Sequence, residues 1–298
     1  MSKKRTILMY GRTRSGKTSQ IAELAEFGMV DYGLKSLVYS IDAGGIGPLG
    51  PVVDLGIVDL VLQGETNPWL FLNKVARGQV RDGAGKWVQA DLSKYYMVAI
   101  ESFTGFGDAI MIDMANQAGQ GVNIGGQANI SFNVTSDGET IKVGGSNMAH
   151  YGIAQSRLLD EFLRSQKLNV PIVLWTASAS KEEDGNMGGK VIGPAGPGKA
   201  LTAEMPRNCD LCFRIDCSPA KQGTPEKHTI YLGNSIDINA GSALSLGNTR
   251  VPLGVDLPSI IEPASIVKVL KLIEEAEAKA KEVLKKRIDA GKAKTNKV

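Results

Sequence analysis

Thr6-Ile7-Leu8-Met9-Tyr10-Gly11-Arg12-Thr13-Arg14-Ser15-Gly16-Lys17-Thr18 sets a short apolar run directly before a basic loop framed by glycines. The loop matches G-x-x-x-x-G-K-[ST] at every fixed position, through Gly11, Gly16, Lys17 and Thr18. Chemistry accounts for the spacing. Glycines at both ends let the backbone curl until its N–H groups converge on an anion. A helix starting near Lys17 adds the positive end of its dipole at the same place. Residues 7–10 read as a buried strand and 11–16 as a turn. Residues 17 to about 27 read as a helix with Ile21, Leu24 and Ala25 on one face. In such a loop the lysine reaches the β- and γ-phosphates, and the hydroxyl that follows goes to magnesium. The expectation is a nucleoside triphosphate site for ATP with Mg2+. Its cradle would be Gly11, Arg12, Thr13, Arg14, Ser15, Gly16, Lys17, Thr18 and Ser19.

Outward from the loop, apolar runs recur. Ser36-Leu37-Val38-Tyr39-Ser40-Ile41 ends at Asp42-Ala43-Gly44-Gly45. Tyr95-Tyr96-Met97-Val98-Ala99-Ile100 ends at Glu101-Ser102, and Val170-Pro171-Ile172-Val173-Leu174-Trp175 ends at Thr176-Ala177-Ser178. Helical patterns separate them, notably 154–166 with Leu158, Leu159, Phe162 and Leu163. Strands alternating with helices predict an α/β fold, a mostly parallel central sheet with helices on both faces. Two stretches break the rhythm. Residues 119–150, rich in Gly, Asn and Ser, contain a hairpin pattern over 130–134 and 140–143. Residues 180–199 show little periodicity and are expected to form a mobile loop. From Pro263 onward an Ala/Glu/Lys-rich helix carries one narrow stripe of Ile266, Leu270, Ile273, Ala276, Ala280 and Val283, the pattern of a solvated arm or a docking surface. The division expected is a nucleotide-binding domain over 1–262 and a charged helix or tail over 263–298.

A phosphate-loop enzyme needs a carboxylate near its magnesium, usually at the end of a neighbouring apolar strand. Glu101 is the first candidate, holding the ion through water or acting as base for an attacking water. Asp42 is the second.

The succession of phosphate loop, Val38-Tyr39-Ser40-Ile41-Asp42-Ala43 and Val98-Ala99-Ile100-Glu101-Ser102 resembles the RecA-like recombinase ATPases. Gly198-Lys199-Ala200-Leu201, followed by the run 208–215, is similar to that family's Gly-x-Ala-Leu helix and the strand after it. The pattern is most similar to the compact RecA-like ATPases of bacteriophages, some of which act in single-strand annealing. The resemblance covers about residues 5–235, and only the phosphate loop within it is specific. It implies an ATPase acting on single-stranded DNA in recombination or replication, assembled as a homo-oligomeric ring or filament in a host cytoplasm. It also implies a polar γ-phosphate sensor, placed at Thr176 or Ser178, and DNA-binding loops at 119–150 and 180–199. A basic residue donated to a neighbour's site would be Arg250, or else Arg207. Two departures stand out: Gly44 occupies the place of the family's catalytic glutamate, and Glu101 that of its magnesium aspartate. Either Glu101 serves both needs, or hydrolysis is slow and nucleotide binding is the main event. Lys181, Lys190 and Lys199 suit phosphate contacts in the second loop, but Glu182, Glu183 and Asp184 oppose them. The alternative is therefore a nucleotide-gated assembly or DNA-packaging protein. A small-molecule kinase ranks third, because 180–199 lacks the arginines of a kinase lid.

Composition agrees with a chain that buries an ordinary core: 298 residues, 43 % apolar and 22 % charged. A net charge of +3 is too small to argue for nucleic acid by itself. No apolar run approaches the roughly 20 residues of a membrane span, and the basic start Lys3-Lys4-Arg5 leads straight into the first strand, as in a cytoplasmic protein. Cys209, Cys212 and Cys217 are the cysteines. A Cys-x-x-Cys with His228 completing the set is a weak zinc signal. The alternation Cys209, Leu211, Phe213, Ile215, Cys217 instead predicts a strand with both outer cysteines on its buried face.

Overall fold

The four apolar runs lie side by side at the centre of the molecule. The computed structural model describes residues 3–64, 66–119, 130–136, 139–145, 148–184, 189–218, 226–233, 235–237, 243–250 and 257–295. The chain opens with β1 (Arg5–Gly11), α1 (Lys17–Tyr32), β2 (Lys35–Ser40), α2 (Gly50–Asp54), β3 (Val58–Leu62) and α3 (Pro68–Ala76). The small hairpin β4 (Gln79–Arg81) and β5 (Trp87–Gln89) precedes β6 (Tyr95–Glu101) and α4 (Phe103–Gly119). A second hairpin, β7 (Ile130–Ser136) with β8 (Glu139–Gly145), leads to α5 (Met148–Ser165), β9 (Ile172–Asp184), β10 (Gly189–Pro194) and α6 (Lys199–Arg207). Then come β11 (Leu211–Ser218), β12 (Lys227–Leu232), β13 (Ser235–Asp237), β14 (Ala243–Ser245), β15 (Asn248–Thr249), β16 (Ile260–Ile261) and α7 (Ile266–Thr295).

Six of the described strands run parallel, in the order β3-β2-β6-β9-β1-β11, and β12 and β16 extend the sheet antiparallel. Both faces are covered. One core holds Leu8, Tyr10, Phe103, Phe106, Phe162 and Trp175 beneath α3, α4 and α5. The other holds Ile7, Met9, Ile21, Leu24, Phe213 and Ile273 beneath α1, α2 and α7. The α/β architecture expected from the sequence, a mostly parallel sheet flanked by helices, is the one observed. Parallel strands buried on both faces read as continuous apolar runs, which is why these four stood out. No helix among the described residues is long and apolar enough to cross a membrane.

Two expectations change. The mobile loop over 180–199 is, where described, mostly strand: β9 runs on past the sheet to Asp184 and turns back as β10, with Lys190 opposite Glu183 and Ile192 opposite Lys181. Residues 185–188 lie outside the described set, as do 120–129, 137–138 and 146–147 of the hairpin-bearing stretch. The two outer cysteines do not share a buried face. Cys209 precedes β11 and packs with Cys212 in the Trp175 core, whereas Cys217 sits at the partly exposed end of the strand. β11 is buried on both faces, so alternation along it carries no inside–outside signal.

Helix α7 is half docked. Ile266, Val269, Leu270, Ile273 and Ala276 are buried against the α1 face, whereas Val283, Leu284 and Ile288 are about half exposed. Its first turn is capped from α1: the Ile266 N–H donates to Gln20 Oε1 at 2.6 Å and to Glu23 Oε2 at 3.2 Å, and Ser265 Oγ donates to Glu23 Oε1 at 2.5 Å. Further along, Glu277 pairs with the buried Arg5 of β1 at 2.8 Å. Ile273→Ala is expected to cost about 2–5 kcal/mol of unfolding free energy. Ile288→Ala, on the projecting half, should stay within about 0.5 kcal/mol of the unsubstituted protein. Urea denaturation of both variants measures the contrast.

Candidate phosphate-loop site

The loop between β1 and α1 emerges at the C-terminal edge of the parallel strands. Gly16 caps α1 at φ 96°, and Arg14 also has a left-handed φ of 63°. Alternating handedness of this kind points consecutive backbone N–H groups into one concavity. Ser15 N–H closes the turn on Arg12 O at 3.2 Å, and Gln20 N–H begins the helix on Gly16 O at 3.1 Å. Arg12, Thr13, Arg14 and Ser19 are exposed, and Ser15 is buried. Lys17 folds back over the loop, donating to Gly11 O at 2.9 Å and Arg12 O at 2.8 Å. Burial lowers its pKa below the usual lysine value, against the pull of Glu101. At Gly11 an added Cβ would stand 2.0 Å from the backbone oxygen of Ile215. Gly11→Ala therefore forces β1 and β11 apart, and thermal unfolding should register a loss toward the upper end of the roughly 1–3 kcal/mol typical of overpacking.

Glu101 ends β6 on the α1 side of the sheet, and its Oε1 accepts a 2.6 Å hydrogen bond from Thr18 Oγ1. Its other oxygen, Oε2, is buried with no hydrogen-bond partner, and so is Thr176 Oγ1 on β9. These two groups are neighbours by register. Ile100 pairs with Trp175 and Met9 with Thr176, so Thr176 stands between the loop strand and the strand that ends in Glu101. Burial raises the Glu101 pKa above the ordinary carboxylate value. The Thr18 hydrogen bond and the Lys17 charge oppose that shift, and the Asp42 charge reinforces it. Asp42 thus lies within electrostatic reach of Glu101. Its Oδ1 accepts from Gly44 N–H at 2.8 Å and shapes the turn after β2. Buried polar atoms without partners are uncommon, and here they cluster beside a carboxylate and a hydroxyl. Hard oxygen donors of that kind suit Mg2+, so Thr18 and Glu101 fit the ion, with Asp42 farther out.

The remaining candidates are placed differently. The structure does not bring Arg250 to its own phosphate loop. Its N–H bonds Asp210 O, Asp210 N–H bonds Thr6 O, and its guanidinium bonds Arg207 O. The backbone of Arg250 is thus tied, through Asp210, to Thr6 at the start of β1, the end of that strand away from the loop. Ser178, one pairing beyond Tyr10, donates its backbone N–H to Thr104 Oγ1 at 2.9 Å. Beside the loop, a cleft of about 420 Å3 lies between Gly16, Ser19, Gln20, His228, Pro263 and Ala264. Sequence reading did not find this cleft. Its walls come from segments more than two hundred residues apart, and no local periodicity reports such a meeting.

Fold and site together describe an α/β protein with a glycine-framed strand–loop–helix turn at the C-terminal edge of its sheet. No family profile and no curated protein matches the sequence. Among solved structures the chain is similar to the flagellar accessory protein FlaH from Methanocaldococcus jannaschii, at 11 % identity and a TM-score of 0.38 over 76 % of each chain. It is also similar to the RadB recombinase, at 12 % identity and a TM-score of 0.40, over 81 % of this chain and 90 % of that one. Likenesses this distant say nothing of activity.

Proposed function

We propose that this chain is a RecA-like ATPase that binds ATP with Mg2+ in the loop of residues 11–19 and hydrolyses it with Glu101. The observation that carries this reading is the Thr18–Glu101 pair at 2.6 Å, set under a lysine-bearing phosphate loop with a buried carboxylate oxygen left over. Loop N–H groups and Lys17 would hold the phosphates, Thr18 and Glu101 would hold the ion, and Thr176 would face the terminal phosphate. When bound, the ion draws charge from the phosphate oxygens. Glu101 is raised in pKa by burial and reaches toward the same space, so it is the group in place to orient or deprotonate the attacking water. The cleft beside Ser19 and Gln20 would take the base and ribose.

The finer reading is action on single-stranded DNA in recombination or replication, within a ring or filament. It rests on the resemblance stated above and on the β9–β10 hairpin standing at the loop edge of the sheet. A nucleotide-gated assembly protein is the second reading. Gly44 stands where a catalytic carboxylate is expected, and the sequence of the second loop carries Glu182, Glu183 and Asp184 among its lysines, an acidic share that opposes phosphate contacts. ATP turnover with and without single-stranded DNA separates the two: stimulation supports the first, and tight ATP binding with no DNA response supports the second. Arg250 gives a test of assembly. If it completes a neighbour's site, Arg250→Ala and Lys17→Ala proteins are each inactive, and mixing them restores part of the turnover. No recovery on mixing would remove Arg250 from the site.

A further inference from the structure

The far end of the β11–β12 pair lies against the phosphate loop, where Glu226 and His228 also wall the cleft beside Ser19 and Gln20. Cys217 on β11 and His228 on β12 are register partners, and Glu226 directly precedes β12. Side chains at directly opposed positions share one face of the sheet. Cys217 Sγ donates to Glu226 Oε1 at 2.8 Å and stands 4.0 Å from His228 Nε2. One donor atom from each of the three residues lies within 4.8 Å of the others.

Those spacings suit a tetrahedral ion. With Zn–S near 2.3 Å and Zn–N near 2.0 Å, the edge between two donors is about 3.5 Å, between the separations observed. The other ring nitrogen supplies an independent sign. His228 Nδ1 is 2.9 Å from Ser15 O, a backbone carbonyl that can only accept. The proton therefore sits on Nδ1, and in the neutral ring the Nε2 lone pair is directed at the Cys217–Glu226 pair. Metal-ligating histidines are oriented in this way, by donating the second nitrogen to a carbonyl or carboxylate. One thiol, one imidazole and one carboxylate favour a zinc-class ion over magnesium or calcium.

We propose that Cys217, Glu226 and His228 bind one zinc-class divalent ion, and that the ion braces the phosphate loop through the His228–Ser15 contact. On binding, the Sγ–H bond breaks, the proton leaves to solvent and a sulfur–metal bond forms. No electron changes hands. Among the described residues no fourth His, Cys, Asp or Glu joins these three, which leaves the fourth position to water. Cys209 and Cys212 are fully buried in the opposite core and do not compete.

The test uses the full-length chain without nucleotide, so its outcome does not depend on the ATPase reading. Titration with Co2+ should give a thiolate-to-cobalt charge-transfer band that saturates at about one equivalent and is displaced by Zn2+. Cys217→Ser should abolish the band, and His228→Gln should weaken binding at least about tenfold. Thermal unfolding of both variants checks that they remain folded. Zn2+ should also slow amide hydrogen exchange over residues 11–16 in the native protein and not in His228→Gln. Absence of the band, or its persistence in Cys217→Ser, overturns the site. A band without slowed exchange overturns the bracing.

Discussion

Lys17→Met is expected to weaken ATP–Mg2+ binding by at least about 100-fold while leaving the protein folded. In the nucleotide-free state Lys17 Nζ spends two hydrogen bonds on the loop's own carbonyls, Gly11 O and Arg12 O. Phosphate oxygens would replace these ammonium-to-carbonyl bonds with bonds between opposite charges, each worth about 1.5–3 kcal/mol. Two such bonds give about 3–6 kcal/mol gross, from which the two carbonyl bonds given up are subtracted, and a net of about 2.8 kcal/mol is the 100-fold expected at about 1.4 kcal/mol per factor of ten. Burial has already removed part of the water from this ammonium, as its lowered pKa records, so less of the gain is lost to desolvation when the anion arrives. Methionine keeps the apolar stem and removes only the charge. Calorimetric titration with ATP and Mg2+ measures the effect, and a loss smaller than about tenfold would mean that Lys17 does not touch the phosphates.

How much of this was readable beforehand depends on what holds each element. The strand containing Leu8, the strand ending at Ser40, the strand ending at Glu101 and the Trp175 strand are buried on both faces, and each appears in sequence as an unbroken apolar run. Glu101 was legible for the same reason, as the polar residue that stops such a run. The β9–β10 hairpin was not. Lys181, Glu182, Glu183 and Asp184 show no apolar alternation, and their strand is held by backbone pairing with residues 189–192. The docking of α7 was only half legible. Its stripe was visible, but the stripe continues past Ala276 to Val283, which is half exposed. The docked half is gripped at its first turn by Gln20 and Glu23 of α1 and, just past Ala276, by Arg5 through Glu277. His228 is the clearest case of a long-range fact. In sequence it offered only a weak zinc signal with Cys209 and Cys212, set aside there for a strand, whereas in the fold it meets Cys217 and, 213 residues away, Ser15.

Glu101→Gln is expected to make the nucleotide-free protein more stable at neutral pH and at the same time to slow ATP turnover by about 10²–10⁴, the usual contribution of a positioned base. Both effects follow from one placement. The carboxyl is buried, and its folded pKa lies above the value of 4.5 it has when exposed. Between that value and the raised one, the native state binds more protons than the unfolded state, so stability falls as pH rises through this window. Above the window the whole penalty of a buried carboxylate is present, and below pH 4.5 it is gone. Glutamine keeps the oxygen that accepts from Thr18 and carries no charge to desolvate. The difference in Tm between variant and native protein should therefore be largest at pH 7–8 and shrink toward zero as pH drops below about 4.5. Added ATP and Mg2+ should reverse the order, because the cation supplies the carboxylate with the partner it lacks and gives the variant little. A Tm difference independent of pH would show that Glu101 is not penalised by its burial. Turnover unchanged in the variant would move the catalytic role elsewhere, with Asp42 the next carboxylate within reach.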